Sequence, residues 1–123
     1  MLEGARFDNA ILTNSSIRNA HIAHAKFRDA DLTNADLSYD RDFPRSKNTC
    51  FYVDFSRATL QNANLSRSPL TYARFEASTL IEANLNRATL VAADLSSSNL
   101  QKTDLRFANL SRAKLVGCDL RGA

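Results

Sequence analysis

The chain has 123 residues, one domain's worth, with 44% hydrophobic and 24% charged side chains, three glycines, two prolines and no tryptophan. That is too apolar for a disordered chain and too poor in Gly and Pro for a run of β-hairpins. The net charge of +3 is unevenly spread: residues 1–56 carry 7 basic and 8 acidic side chains, and residues 57–123 carry 9 and 5. No basic cluster is dense enough to read as a nucleic-acid surface, so direct nucleic-acid binding is not expected. No apolar run reaches the length of a membrane span and "MLEGARFDN" has no signal-peptide core, so a cytoplasmic protein off the membrane is expected.

The first regular block places Phe7, Leu12, Ile17, Ile22, Phe27, Leu32 and Leu37 five residues apart. A spacing of five suits neither common element. On a helix each step of five turns by about 140°, which scatters the apolar residues around the cylinder. On a straight strand an odd step sends successive residues to opposite faces. All of them share one interior only if the chain turns a corner once per repeat. Within this block "HIAH" carries His21 and His24, which read as surface residues near one corner, since no Cys or carboxylate stands at ligand spacing.

The block is followed by an irregular stretch, "YDRDFPRSK" at 39–47, which reads as a surface loop. It sets Phe43 and Pro44 among Arg41, Arg45 and Lys47, a plausible anchor for a protein partner. The repeat then resumes with Cys50 as an atypical centre, Asn48 standing in the small-residue slot two places before it.

The second block runs through Phe55, Leu60, Leu65, Leu70, Phe75 and on by fives to Leu120. Of the 21 regular centres, 14 have Ala two places before them and four have Ser; Val53, Thr103 and Cys118 complete the set. Cys118 therefore reads as a small buried residue. The two cysteines form no disulfide framework. Asp31, Asp36, Asn64 and Asn84 share one slot of the repeat, so a structural role explains them better than paired catalytic carboxylates. With no nucleophile motif, phosphate loop, metal cluster or cofactor signature, neither an enzyme nor a bound cofactor is expected.

Stretches such as "ADLTNADLS" (30–38) and "ANLSRAKLVGCDL" (108–120) resemble the pentapeptide-repeat family over nearly the whole chain. The resemblance implies an all-β fold, a right-handed quadrilateral parallel β-helix with the small residue and the central Leu or Phe pointing inward. Four sides demand a stacking period of 20, and Phe7/Phe27, Phe55/Phe75 and Asp54/Arg74/Asp94/Lys114 all keep it. The step from Phe27 to Phe55 is 28, so eight extra residues bulge out near 39–47. Residues 1–123 are then a single domain of about five and a half coils, roughly 25 Å long at strand spacing.

A surface column twenty residues apart contains Arg67, Arg87 and Phe107, with Tyr39 above the gap, and is a second candidate for partner binding. Leu115 and Leu120 would form an uncovered final coil suited to self-association, giving a homodimer. The first functional expectation is a non-enzymatic scaffold that binds a protein partner. The second rests on "SYDRD" (38–42) and "FSRATLQNA" (55–63), which are similar to the region around the first loop of the Qnr proteins. The Qnr and MfpA groups bind DNA gyrase and counter quinolones, and the likeness implies the same partner here. Members that imitate DNA are acidic, whereas this chain is basic. A third expectation is the repeat domain of a bacterial secreted effector.

Overall fold

The computed structural model describes residues 1–40 and 50–123. The backbone pairs with itself one coil away. Parallel bridges join Arg6 to Lys26, Asp54 to Arg74, Arg74 to Asp94 and Asp94 to Lys114, at the expected step of 20. Three further columns accompany this one, running through Asp31, Asp36 and Pro69. Across the insertion, Lys26 pairs with Asp54, Asp31 with Thr59 and Asp36 with Asn64, so the register jumps by 28 as the phenylalanine spacing requires. The four columns are the four sides of a coil. The first side is centred on Phe7, Phe27, Phe55, Phe75, Leu95 and Leu115, the second starts at Leu12 and the third at Ile17, and the fourth runs through Leu2 and Ile22. Only single bridges form because each flat side is about three residues long before the chain turns.

Neighbouring coils are stitched by regular hydrogen bonds. The Leu12 N–H donates to the Asp31 carbonyl at 2.7 Å, the Asp31 N–H to Ala10 at 2.9 Å, and the Asn14 N–H to Thr33 at 2.9 Å. At most corners the small residue of the next side closes a turn onto the preceding centre, as the Ala10 N–H does onto Phe7 at 3.0 Å. The residue just before it takes a left-handed conformation, for example Asn14 (φ 57°), Arg57 (φ 59°) and Ala92 (φ 54°). A positive φ at the third residue of a turn is what lets a chain reverse direction so tightly. Asn is common there because it tolerates that region; Gly4, Gly117 and Gly122 serve the same purpose.

The Asp and Asn of the repeat act on the adjoining peptide. The carboxylate of Asp31 accepts the Thr33 N–H at 3.0 Å, Asp94 that of Ser96 at 3.1 Å, and Asn84 that of Asn86 at 2.9 Å. Each satisfies a turn N–H that the ladder leaves free, which is why short polar side chains recur in this slot.

Inside, Phe7, Phe27, Phe55 and Phe75 stack with centroids 4.9, 5.0 and 5.1 Å apart. The leucine centres from Leu32 to Leu100 are fully buried, each contributing about 1.5–3 kcal/mol against exposure, opposed by ordering entropy. Most hydroxyls in the inward small-residue slot find carbonyls, as Ser68 donates to Leu37 at 2.8 Å and Thr103 to Leu80 at 2.7 Å, whereas the buried Ser15 hydroxyl has no partner among the described residues. Leu2 adds a further centre before Phe7, its N–H on His21 at 2.9 Å. Cys50 occupies the centre expected of it and is buried; Asn48 lies outside the described residues. Cys118 is half-buried and donates to Leu95 at 2.8 Å.

One sequence expectation needs correction. Tyr39 is only 2% exposed and belongs to the core, not to a surface loop or column. Among the described residues it is the one turn-position residue without a positive φ, so its side chain swings inward and its hydroxyl donates to the Ala20 carbonyl. In the column Asp54/Arg74/Asp94/Lys114, Lys114 pairs with Asp94 at 3.5 Å and Arg74 lies 4.0 Å from Asp54, whose nearest cation is Arg28 at 2.6 Å.

Candidate functional site

The corner between the third and fourth sides carries the most irregular surface. Its turn positions are Asn19, Arg67, Arg87 and Phe107, with Tyr39 buried between the first two. Phe107 is 76% exposed, and the Arg87 guanidinium carbon lies 4.9 Å from its ring centroid. Stacking holds the guanidinium while leaving its N–H edge to solvent. Arg67 is half-buried one coil above.

At the same corner the chain leaves the coil at Asp40. The Asp40 carboxylate takes the Asn19 amide at 2.9 Å and an ion pair from Arg18, while the Asp40 N–H donates to Asn19 Oδ1 at 2.9 Å. Asn19, then Arg18 with the more distant charge of Arg67, hold the carboxyl below its usual range. Arg41, Phe43, Arg45 and Lys47 lie outside the described residues.

The next corner, between the fourth and first sides, carries a feature that the sequence reading missed. His24, Tyr52 and Tyr72 form an exposed stack with centroids 5.3 and 4.9 Å apart, and Phe51 meets Tyr52 edge-on at 6.5 Å. The signal was present in the spacing: 24, 52 and 72 differ by 28 and then 20, as the buried phenylalanines do.

Elsewhere most charged groups among the described residues are engaged with one another. Arg57 grips Asp29 with two hydrogen bonds of 2.7 and 2.6 Å, which lower the Asp29 carboxyl. Asp104 is held down by the Arg106 fork at 2.9 and 2.8 Å. Asp54 is pushed up by burial, yet hydrogen bonds from Ser56 and Arg28 leave it lowered overall. Such carboxylates stay ionised at neutral pH and are poor proton donors. His24 is spent in its stack, and His21 Nε2 lies 3.8 Å from Glu3 Oε2. At the last rung Leu115 is 36% and Leu120 42% exposed, beside exposed Val116.

The chain is similar to solved structures of pentapeptide repeat proteins. A trypsin-treated QnrB1, a plasmid-mediated fluoroquinolone resistance protein, aligns at a TM-score of 0.73 and 25% identity, over 99% of this chain and 61% of that one. HetL, involved in heterocyst differentiation regulation in the cyanobacterium Nostoc, is 26% identical over 98% of this chain and 57% of that one, with a TM-score of 0.32. A protein of the Arabidopsis thaliana thylakoid lumen is 22% identical over 91% and 62%, with a TM-score of 0.38. The chain thus spans about three fifths of the length of these proteins. No curated protein sequence matches it. Among the described residues no helix is long and apolar enough to cross a membrane. Eight copies of the pentapeptide repeat match across residues 2–38, 50–87, 70–106 and 88–123. With the right-handed β-helix that these repeats form, the matches place the chain in the pentapeptide-repeat family.

Proposed function

We propose that residues 1–123 form one non-enzymatic domain of about five and a half four-sided coils, a rigid scaffold that presents its surface to a protein partner. The observation that carries this reading is the corner at Arg67, Arg87 and Phe107, where an exposed ring and a guanidinium over it lie along the same corner from which the chain leaves the coil at Asp40. Exposed Arg and aromatic groups are the side chains that anchor protein interfaces. Arg41, Phe43, Arg45 and Lys47 are proposed contacts of the same interface. A filled solenoid offers no water-poor cleft for catalysis.

A more specific reading is a cytoplasmic topoisomerase-binding protein that protects DNA gyrase from quinolones. The likeness to QnrB1 at a TM-score of 0.73 favours it. Gyrase supercoiling in the presence of a fluoroquinolone tests it, with the intact protein beside a variant shortened across 41–47. Rescue by the intact protein alone supports both the partner and the loop; no rescue by either folded protein removes gyrase and leaves the scaffold.

The exposed Leu115 and Leu120 support a homodimer formed by stacking of the last coil. Light scattering after size exclusion reads it directly, and a stable monomer that is unchanged by Leu120→Asp removes it.

A further inference from the structure

Among the described residues most cations hold a carboxylate; Lys26, Arg67, Arg87 and Arg112 do not, and of these only Arg67 and Arg87 share a corner. Arg57, Lys102, Arg106, Lys114 and Arg121 each hold an acidic partner between 2.6 and 3.5 Å away. Arg67 and Arg87 have none among the described residues, although they sit one above the other at successive turns of the same corner. Asp40 feels the charge of Arg67, but its two oxygens are taken by Arg18 and Asn19. Asp104, on the third side, is occupied by the Arg106 fork.

The two free guanidiniums are also ordered in advance. The Arg87 guanidinium carbon lies 4.9 Å over the Phe107 ring, and Arg87 is exposed, so its N–H groups remain open to a ligand. Arg67 is half-buried on the coil above. Successive rungs of a β-helix lie about 4.8 Å apart, close enough for two guanidiniums to share one carboxylate or to hold two neighbouring ones.

We infer that the Arg67–Arg87–Phe107 corner is a docking site for an acidic protein segment, whose carboxylates the two arginines grip while an apolar side chain covers Phe107. The inference deepens the scaffold reading and rests on it. Charge complementarity carries the choice of partner: a site of two unmatched arginines, with engaged carboxylates at Asp40 and Asp104 to either side, suits one or two carboxylates. A nucleic-acid strand would need a longer run of free cations along its backbone. Prior ordering of Arg87 also lowers the entropy cost of binding.

The test uses fluorescence anisotropy with a labelled oligoglutamate that ends in a leucine, and with an oligothymidylate of equal length. Arg67→Asn and Arg87→Asn are the informative variants, because the left-handed corner accepts Asn without strain, as Asn14 and Asn62 already show. The expected result is saturable, salt-sensitive binding of the peptide, weakened about tenfold or more by each substitution. Phe107→Ala should weaken it several-fold by releasing Arg87. Arg57→Asn, which removes a cation already paired with Asp29, should leave it unchanged. Absence of peptide binding by the wild type, equal loss in the Arg57 variant, or tighter binding of the oligothymidylate would overturn the inference. Gyrase protection that survives the double Arg67/Arg87 substitution would keep the scaffold reading and remove this surface from it.

Discussion

The Tyr39 hydroxyl donates to the carbonyl of Ala20, from within the core and next to the point where the repeat is interrupted. The Cys50 thiol lies 3.8 Å from the same hydroxyl and 3.9 Å from the same carbonyl. The last regular residue before the insertion and the first centre after it therefore meet inside the coil. The tyrosine closes the gap that the missing corner would leave.

Removing that ring should be costly. Tyr39→Ala is expected to destabilise the protein by about 3–5 kcal/mol, as other large-to-small core substitutions do. Tyr39→Phe keeps the ring and leaves the Ala20 carbonyl only the long Cys50 thiol contact, at a cost of about 1–2 kcal/mol. Urea unfolding followed by circular dichroism measures both. A surface tyrosine would give changes within about 0.5 kcal/mol in each case, and that outcome would show the inward placement to be wrong.

The corners make a prediction of opposite sign. Ala77 (φ 56°) pays the left-handed penalty of a residue with a Cβ, about 1–2 kcal/mol. Ala77→Gly removes it and gives back about 0.4–1 kcal/mol through the freer unfolded chain. The net expectation is a gain of about 0.5–1 kcal/mol, read as a higher thermal midpoint. Asn62→Val, which forces a β-branched residue into the same conformation (φ 57°), should lower the midpoint.

Burial pushes the Cys50 thiol up to about 11, a rise that its hydrogen-bonded contact with Tyr39 only partly opposes. Thiolate is the reactive form, so Cys50 should resist alkylation at mildly alkaline pH until the protein unfolds. Mass spectrometry of protein treated with iodoacetamide, with and without urea, reads this. The linkage has a definite sign. A group that titrates higher when folded contributes its stability fully below the unfolded value of 9.0 and loses it as pH rises through about 11. The loss is about 2–3 kcal/mol at most and should be absent in Cys50→Ala. Equal pH dependence of the two proteins between those values would rule the effect out.

Much of the architecture follows from spacing alone. A five-residue step with a small residue two places earlier admits a corner per repeat, and the 20-residue recurrence of Phe7/Phe27 and of Asp54/Arg74/Asp94 admits four sides. The step of 28 between Phe27 and Phe55 locates the insertion, and it identifies Cys50 as a disguised centre. These are rules of repetition, so they hold wherever the chain repeats. The same rule misplaced Tyr39: in register it is a corner residue and should project outward.

What only the tertiary structure decided lies where repetition stops or where side chains choose among neighbours. Tyr39 lies inward where the left-handed corner conformation ends, and it packs into the apolar core there. Asp54 takes Arg28 in preference to the bridged Lys26, because the turn projects Arg28 across its carboxylate at 2.6 Å. The His24–Tyr52–Tyr72 stack and the Arg87–Phe107 pair need rings and guanidiniums to be brought parallel one coil apart. Periodicity determines which residues share a column, because the backbone ladder locks the rungs in register. Which partner each surface side chain takes within reach depends on rotamer and burial, and those exist only once the coils are stacked.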